Sequence, residues 1–573
     1  MRNPIYTLFR RLRSPLIVLI LVYAVSIIGF VLIPGIDDKG QHWDMSFFHA
    51  FYFVSFMGTT IGFGEIPYAF TDAQRFWALV TMYATVISWL YGIGVMLSVF
   101  QDPLFLNQLK KNTLRRRIKN IREPFYIICG YGDTGSQLSR LLSKEGILSV
   151  IVDPDAERIN ELEDEDFLVR PLSLCADASQ SEVLQMAGIE HTWCKGIITI
   201  ANDDNVNLTV AIVAQILNPD LRLIARAETP EAESNILSFG ANEVINPFET
   251  FSSRLALAFK SPSLYCLYDW MTGESGTLMK EPPCLADEGL WIICGFGRFG
   301  RSLYDHLDDE GVRLKIIEAD RSQRDIPSGS IIGRATEAPT LKKAGIEEAV
   351  GIIAGSDNDA NNLSIILTAS ELNPDIYRVI RQSSDKNEHL FENSHHEMLM
   401  HRGSIISNTI FAFIRTPMLG DFLRIVSRFN KDRANELVSK LIAVVEDDEP
   451  KLWEFSVTSE QSPALYEMIQ KQKVLVGDIF QGITQYGSNQ RDKPLSALPL
   501  FLKRGKSNVL LPENDRPIRA GDRILMCGTR QAQHQMNRVL TNIQILKNVL
   551  YGKEVSNSLF WKWLNNRKAV RNS

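Results

Sequence analysis

Apolar positions along this chain fall into three regimes. Two charge-free runs come first, residues 14–36 and 76–101. Each is long enough to cross a bilayer core of about 30 Å as a helix, the second with some tilt. Between them, residues 46–58 are apolar and rich in Phe and Tyr but too short to span, which predicts a re-entrant helix. Residues 101–124 are basic and polar and read as a solvated helical linker. From Phe125 onward short apolar runs alternate with helical patterns: 125–129, then 136–145, then 149–152 ending at Asp153, with further strands at 196–200 and 221–225. That alternation predicts a parallel sheet with helices on both faces.

The soluble pattern occurs twice. Gly130, Gly132 and Gly135 recur as Gly295, Gly297 and Gly300, 165 residues later. Asn207, Asn218, Arg226 and Pro262 recur as Asn362, Asn373, Arg381 and Pro417 at an offset of 155, so the second copy is shorter early and then keeps register. The division that follows is 1–100, two spans with a re-entrant loop; 101–124, linker; 125–289, first copy; 290–436, second copy and its crossover helices; 437–545, a small α+β lobe; 546–573, a basic and aromatic tail. In the small lobe residues 464–472 read as helix, and 474–484, 509–511 and 523–526 as strands. The tail, with Phe560, Trp561 and Trp563, reads as an amphipathic packing helix.

Composition narrows the classes. At 573 residues the chain is too long for one domain. Its 45% hydrophobic and 22% charged residues exclude a disordered, collagen-like or disulfide-scaffold protein. A mean hydropathy of -0.05 excludes a mainly membrane-embedded one. The net charge of -6 gives no bias toward nucleic acid. Seven cysteines without a C-x-x-C pair read as reduced thiols in a cytosolic compartment. Arg2, Arg10, Arg11 and Arg13 precede the first span; Lys110, Lys111, Arg115, Arg116, Arg117 and Lys119 follow the second. Asp37, Asp38, Asp44, Glu65 and Asp72 lie between, against Lys39 and Arg75. The positive-inside rule places both termini in the cytoplasm and an acidic, cation-gathering loop outside. The first run is too long for a signal-peptide core, and no small-x-small cleavage site precedes Pro34.

Directly after the re-entrant segment stand Thr59, Thr60, Ile61, Gly62, Phe63, Gly64 and Glu65. A site that strips water from an ion needs rings of backbone carbonyls, and glycine reaches the required angles without steric cost. The run resembles the K+ channel pore signature, with Phe63 and Glu65 where Tyr and Asp are commoner. The resemblance implies that Thr60, Ile61, Gly62, Phe63 and Gly64 form a selectivity filter for K+, and that four identical chains surround the ion. Gly92 and Gly94 in the second span are candidates for a gating hinge or for close helix packing.

Each glycine turn follows a strand, opens a helix and has an acid at the end of the next strand, Asp153 in the first copy and Glu318 in the second. That is the dinucleotide-binding fingerprint, favouring NAD or ADP over a 2′-phosphorylated ligand. The candidate binding residues are Gly130, Gly132, Gly135 and Asp153, and Gly295, Gly297, Arg298, Gly300 and Glu318. Arg298 is a cation able to clamp phosphate, where the first copy has Asp133, so the second copy reads as the stronger site. Packing glycines with no ligand are the plain alternative. The copies, with Asn202, Asp203, Asn207 and Arg226 as markers, resemble RCK domains, the regulators of K+ conductance. Such lobes pair through crossover helices into rings of eight, which four chains with two lobes each supply. The turn at 517–523 resembles the small lobe that follows RCK domains.

His395, His396 and Glu397, near His389 and His401, are candidates for a divalent metal, as are the acidic runs 161–166 and 446–449, but none has the spacing of a known metal motif. Together these features predict a homotetrameric, ligand-gated K+ channel of a prokaryotic cell membrane, in contact with lipid and a nucleotide, and not an enzyme. A nonselective cation channel, a transporter-regulating binding protein and a membrane-associated NAD-dependent oxidoreductase are the rivals; no catalytic constellation stands beside either glycine turn.

Overall fold

The structure, a computed structural model, describes residues 4–101, 112–273, 282–283, 285–286, 288–323, 325–384, 387–445, 450–483 and 489–551. The chain divides into two compact units, Met1–Ile121 and Arg122–Ser573. Lys110, Lys111, the acidic run 446–449 and the aromatic tail from 552 onward lie outside the described residues.

The first unit contains α1 (Pro4–Leu32), α2 (Phe47–Gly58) and α3 (Asp72–Phe100), and residues 112–119 of the linker are helical. Among the described residues α1 and α3 are long and apolar enough to cross a membrane, and α2 is not. Their burial is inverted relative to a water-soluble bundle. Ser26, Thr81, Thr85 and Ser88 are buried, while Leu16, Ile20, Leu21, Tyr83, Ile87 and Leu90 are exposed. The buried hydroxyls donate to carbonyls of their own helices, Thr81 Oγ1 to Trp77 O at 2.9 Å and Thr85 Oγ1 to Thr81 O at 2.8 Å. Helices whose solvent is lipid associate through such small polar residues and close backbone approach. The close approach falls at Gly29, where a Cβ would lie 2.1 Å from the Trp77 ring. The Trp77 indole donates to Ser26 O at 3.1 Å. The short helix α2 is capped by Ser46, which accepts from His49 N, and packs Phe53, Val54 and Met57 against Ile27 and Phe30 of α1.

The second unit opens with a parallel sheet of β1 (Phe125–Cys129), β2 (Leu148–Asp153), β3 (Leu172–Cys175), β4 (Cys194–Thr199), β5 (Arg222–Arg226) and β6 (Glu243–Ile245), ordered β3-β2-β1-β4-β5-β6. Ile128 of β1 sits between Ile151 and Ile198, so the central strands are apolar on both faces. Helix α4 (Asp133–Lys144) follows β1, and α5 (Pro247–Lys260) and α6 (Pro262–Thr272) follow the sheet. The second copy repeats this: β7 (Leu290–Cys294), α7 (Arg298–Asp309), β8 (Arg313–Glu318), β9 (Ile331–Ile332), β10 (Ala349–Ala354), β11 (Tyr377–Gln382) and β12 (Met398–His401), ordered β9-β8-β7-β10-β11-β12. It ends in α8 (Arg402–Arg415) and α9 (Leu419–Val426). The crossover helices are exchanged. The first copy's α5 packs Phe248, Phe251 and Leu255 against Phe299, Leu303 and Leu307 of the second copy's α7. The second copy's α8 packs Ile406, Ile410 and Ile414 against Leu138, Leu141 and Leu142 of α4.

Helix α10 (Lys431–Val445) runs unbroken through position 437, where the sequence pattern places a boundary. It leads to an antiparallel sheet of β13 (Pro450–Ser456), β14 (Ala497–Arg504), β15 (Ser507–Leu510) and β16 (Arg523–Thr529), ordered β13-β16-β14-β15. The expected helix at 464–472 spans Pro463–Ile469. The strand expected over 474–484 does not form as such; Leu475 makes an isolated bridge to Pro517, and Gly477–Phe480 is a 3₁₀ turn before the short strand Gln481–Ile483. Helices α11 (Arg530–Thr541) and α12 (Ile543–Tyr551) close the lobe, with Leu546 and Val549 buried in its core. The six described cysteines are free, and all but Cys175 are buried.

Candidate functional site

The loop after α2 carries the first group of candidate residues. Gly62 and Gly64 have φ of +66° and +97°, a region that costs an L-residue energy but not glycine. Thr60 also stands at φ +63°, and such a conformation for a β-branched residue costs on the order of 1–3 kcal/mol. The loop is anchored where it leaves α2, with Thr60 N donating to Met57 O at 3.0 Å and Ile61 N to Phe56 O at 2.9 Å. The Phe63 ring meets Phe56 edge-on at 5.5 Å. At its other end Glu65 accepts both Nε and Nη2 of Arg75, at 2.8 and 3.2 Å, and Phe70 N at 2.8 Å. The Arg75 guanidinium holds the Glu65 carboxyl below the usual carboxylate range. Glu65 therefore braces the loop and is neutralised as a cation-gathering charge, which the sequence pattern alone does not show.

Gly92 and Gly94 lie within α3. A Cβ on Gly92 would just reach Pro15 at 4.0 Å, and one on Gly94 would meet nothing within 4 Å. Close packing of α1 on α3 is the task of Gly29.

In the second unit the strand order reverses between β1 and β4, the switch point where doubly wound sheets open a crevice at their strand ends. A cavity of about 370 Å³ lies there in the first copy, lined by Gly130, Gly132, Gly135, Asp153, Asn202 and Arg226, and closed on one side by Ser383 and Gly403 of the second copy. The three glycines do different things. Gly130 has φ +109°. A Cβ on Gly135 would stand 2.2 Å from Gly130 O, so helix α4 can approach β1 only without a side chain. Gly132 is in ordinary extended backbone at the N-cap of α4, and a Cβ there would meet only Arg158 Nη1, at 3.9 Å. Its missing side chain serves open space, beside the amide donors of a helix N-terminus. Asp153 is buried and accepts Tyr131 N at 2.6 Å and Asp155 N at 2.8 Å, with Arg158 at 3.6 Å. Its carboxylate fixes the turn while keeping lone pairs for a ligand hydroxyl.

The second copy repeats the turn. Gly295 has φ +99°, a Cβ on Gly300 would lie 2.0 Å from Gly295 O, and Gly297 faces nothing within 4 Å. Glu318 accepts Phe296 N and, at 2.8 Å, Asp320 N. Arg298, which the sequence offers as a phosphate clamp for its own turn, is engaged elsewhere. It donates to Glu228 of the first copy and lies 5.0 Å from the Phe248 ring centroid.

Two repeated asparagines have roles that spacing alone does not disclose. Asn207 is fully buried; its amide donates to Ala201 O and Arg226 O at 2.8 and 3.0 Å, and its oxygen accepts Ala201 N at 3.0 Å. Asn362 does the same with Ser356 and Arg381. Each pins together the ends of two strands beside the crevice. Their recurrence at one offset with Arg226 and Arg381 was the available signal.

The candidate metal ligands do not converge. Glu397 is bound to Arg378 through its side chain and through the Arg378 amide at 2.7 Å, and His396 Nδ1 lies 2.9 Å from Ser394 O. Glu165 of the first acidic run pairs with Arg140 at 2.7 Å. Among the described residues no three His, Cys, Asp or Glu side chains are placed to hold a metal. His389 pairs with Glu392 at 3.3 Å while Glu397 turns to Arg378 and Glu165 to Arg140, so the clustering in sequence is not one cluster in space.

The family described as Ion channel matches residues 17–102, and the TrkA-N domain family matches twice, over 126–247 and 291–401. Potassium channel protein 1 of Methanocaldococcus jannaschii is 27% identical over 259 residues, covering 45% of this chain and 72% of that protein. The Trk system potassium uptake protein TrkA homolog of Pyrococcus horikoshii is 30% identical over 136 residues, covering 22% of this chain and 60% of its own. Among solved structures, the GsuK channel bound to NAD matches with a TM-score of 0.44 and 15% identity, over 94% of this chain and 99% of that one. GsuK bound to ADP matches with a TM-score of 0.42 and 19% identity, over 74% and 99%.

Proposed function

We propose that this chain, which joins an ion-channel domain to two TrkA-N domains, is one subunit of a K+-selective channel gated by a cytoplasmic nucleotide. The observation that carries the pore is the loop 60–64. It follows a helix too short to span, lies between two spanning helices, and holds Gly62 and Gly64 in backbone conformations that allow successive carbonyls to face one way. One such loop cannot encircle an ion, so four chains assemble about a fourfold axis and bring eight lobes into one ring. Both termini and both lobes lie on the cytoplasmic side, as the flanking charges require.

The nucleotide is an NAD- or ADP-like molecule in the first-copy crevice: phosphates at Gly132 and the N-terminus of α4, ribose hydroxyls at Asp153. The second turn, with Gly295, Gly297, Gly300 and Glu318, is the weaker site, because Arg298 is turned toward Glu228. The ligand works by binding one arrangement of the two copies better than another, and the linker carries that difference to α3. Gly92 and Gly94, where an added Cβ would meet no described atom closer than 4.0 Å, are where α3 bends.

The purified full chain in liposomes under a K+/Na+ gradient tests this. A reversal potential near that of K+, with current altered by ADP or NAD on the cytoplasmic side, is expected. A reversal potential at zero would establish a nonselective pore, and absence of any flux would end the channel reading.

A further inference from the structure

Arg226 lines the first-copy cavity and is almost wholly buried. Its Nη1 donates to Asn202 Oδ1 at 2.5 Å, and its Nη2 to Oε1 of Glu228. The other oxygen of the same carboxylate, Oε2, accepts Nη1 of Arg298, which opens the second copy's first helix. Glu228 is itself 11% exposed, so one nearly buried carboxylate is shared by a guanidinium in the cavity wall and a guanidinium of the other lobe.

The repeat shows that folding does not demand this arrangement. At the position equivalent to Glu228 the second copy has Ser383, which has no charge. Its buried arginine, Arg381, pairs instead with Asp357, the residue equivalent to Asn202, at 2.6 Å. Both copies meet the need of a buried guanidinium for an opposite charge. Only the first copy meets it with a carboxylate that also holds the neighbouring lobe.

We propose that Glu228 is an internal competitor for the ligand's phosphate. This rests on the proposed nucleotide site in the first copy. In the empty site Glu228 holds Arg226 and Arg298 together. An anionic group entering the cavity draws on Arg226, weakens its bond to Glu228, and so alters the hold of Glu228 on Arg298. Occupancy of the first lobe is thereby reported at the first helix of the second. The exchange is charge for charge, so it concerns the phosphates and not the nucleoside.

Titration calorimetry of the purified full-length protein with ADP, and with adenosine as the uncharged control, tests the competition. Glu228→Gln keeps a hydrogen-bonding side chain and removes the charge. Its ADP affinity should rise about three- to tenfold, the scale of one charge-assisted hydrogen bond partly relieved of its rival, with adenosine unchanged. Arg298→Ala, at an exposed position, leaves Glu228 to Arg226 alone and should lower ADP affinity by a similar factor. The two effects have opposite signs. A purely structural bridge would lower affinity in both variants, and that result overturns the competition. If Glu228→Gln does not fold, Glu228→Ser, the residue that the second copy carries at this position, takes its place, and an ADP affinity that stays the same or falls in it overturns the competition, as does an affinity that stays the same or rises in Arg298→Ala. A wild-type protein that binds neither ADP nor adenosine rejects the nucleotide site itself.

Discussion

Two glycines three residues apart offer the sharpest test of how the first crevice is built. Gly132→Ala and Gly135→Ala add the same methyl group to the same helix terminus. At 135 the methyl would lie 2.2 Å from Gly130 O and 3.1 Å from its carbonyl carbon. Ordinary contact begins near 3.4 Å, so α4 has to move from β1 by about 1 Å or the turn has to distort, and overpacking of this kind costs about 1–3 kcal/mol. For a domain of this size that lowers the melting temperature by about 2–10 °C. At 132 the backbone is extended and the nearest atom is 3.9 Å away, so stability changes only by the modest preference of an N-cap for glycine over alanine, about 1 kcal/mol or less. The methyl does stand where a phosphate has to approach the amides of α4. ADP affinity should fall about ten- to a hundredfold, equivalent to about 1.4–2.8 kcal/mol. Thermal unfolding and calorimetric titration of the two variants separate the effects. The second copy is an internal control, since Gly300 and Gly297 have the same geometry. Wild-type ADP affinity in Gly132→Ala would refute the placement of the phosphates, and wild-type stability in Gly135→Ala would refute the close approach of helix and strand.

In the tetramer proposed above, Gly64→Ala would place an L-residue at φ +97° in every subunit, and at about 1–2 kcal/mol for each it should abolish K+ flux in liposomes, while ADP binding stays intact. His306 Nε2 lies 2.7 Å from Glu249 Oε2 across the α5–α7 contact, and that bond raises its pKa above 6.5, with Asp305 and Asp309 adding to the shift. A raised pKa means the charged pair stabilises fully below about 6.5 and loses its contribution as pH climbs through the folded value. Melting temperature should therefore fall between about pH 6 and about pH 9 more in the wild type than in His306→Gln, and parallel curves would exclude the pair as a stabiliser.

The repeat and the irregular loop after α2 were legible because both depend on glycine at fixed spacing, and glycine at such positions answers to backbone geometry, whatever surrounds it. The parallel strands were legible because their apolar runs are buried on both faces. The small lobe was harder. Strand β14 carries Pro499 and shifts register between Pro499 and Phe501, so neither alternation nor propensity marks it. Residues 474–484 have the composition of a strand, but the Asp478 carboxylate accepts Leu475 N at 2.8 Å and folds the segment into a turn. Arg298 was read against its own turn because its actual partner, Glu228, belongs to the other copy. A salt bridge over seventy residues leaves no mark in local sequence. The histidine cluster, which fits no metal motif in sequence, is likewise settled by partners outside it, since Glu397 turns to Arg378.

The exchanged crossover helices give the repeat its mechanical meaning. Leu138, Leu141 and Leu142 of the first copy's opening helix are covered by Ile406, Ile410, Phe411 and Ile414, which belong to the second copy. Four such side chains correspond to roughly 6–12 kcal/mol of burial, the size of a whole domain's net stability of about 5–15 kcal/mol. Each copy therefore takes part of its core from the other, and the packing of one depends on the placement of its neighbour. The first-copy cavity lies where the two copies meet, with its glycine turn from one side and Ser383 and Gly403 from the other. A ligand seated there touches both halves at once. A change in the placement of one half relative to the other would change its contacts, and such a difference is the condition under which a small molecule can shift a conformational equilibrium at all.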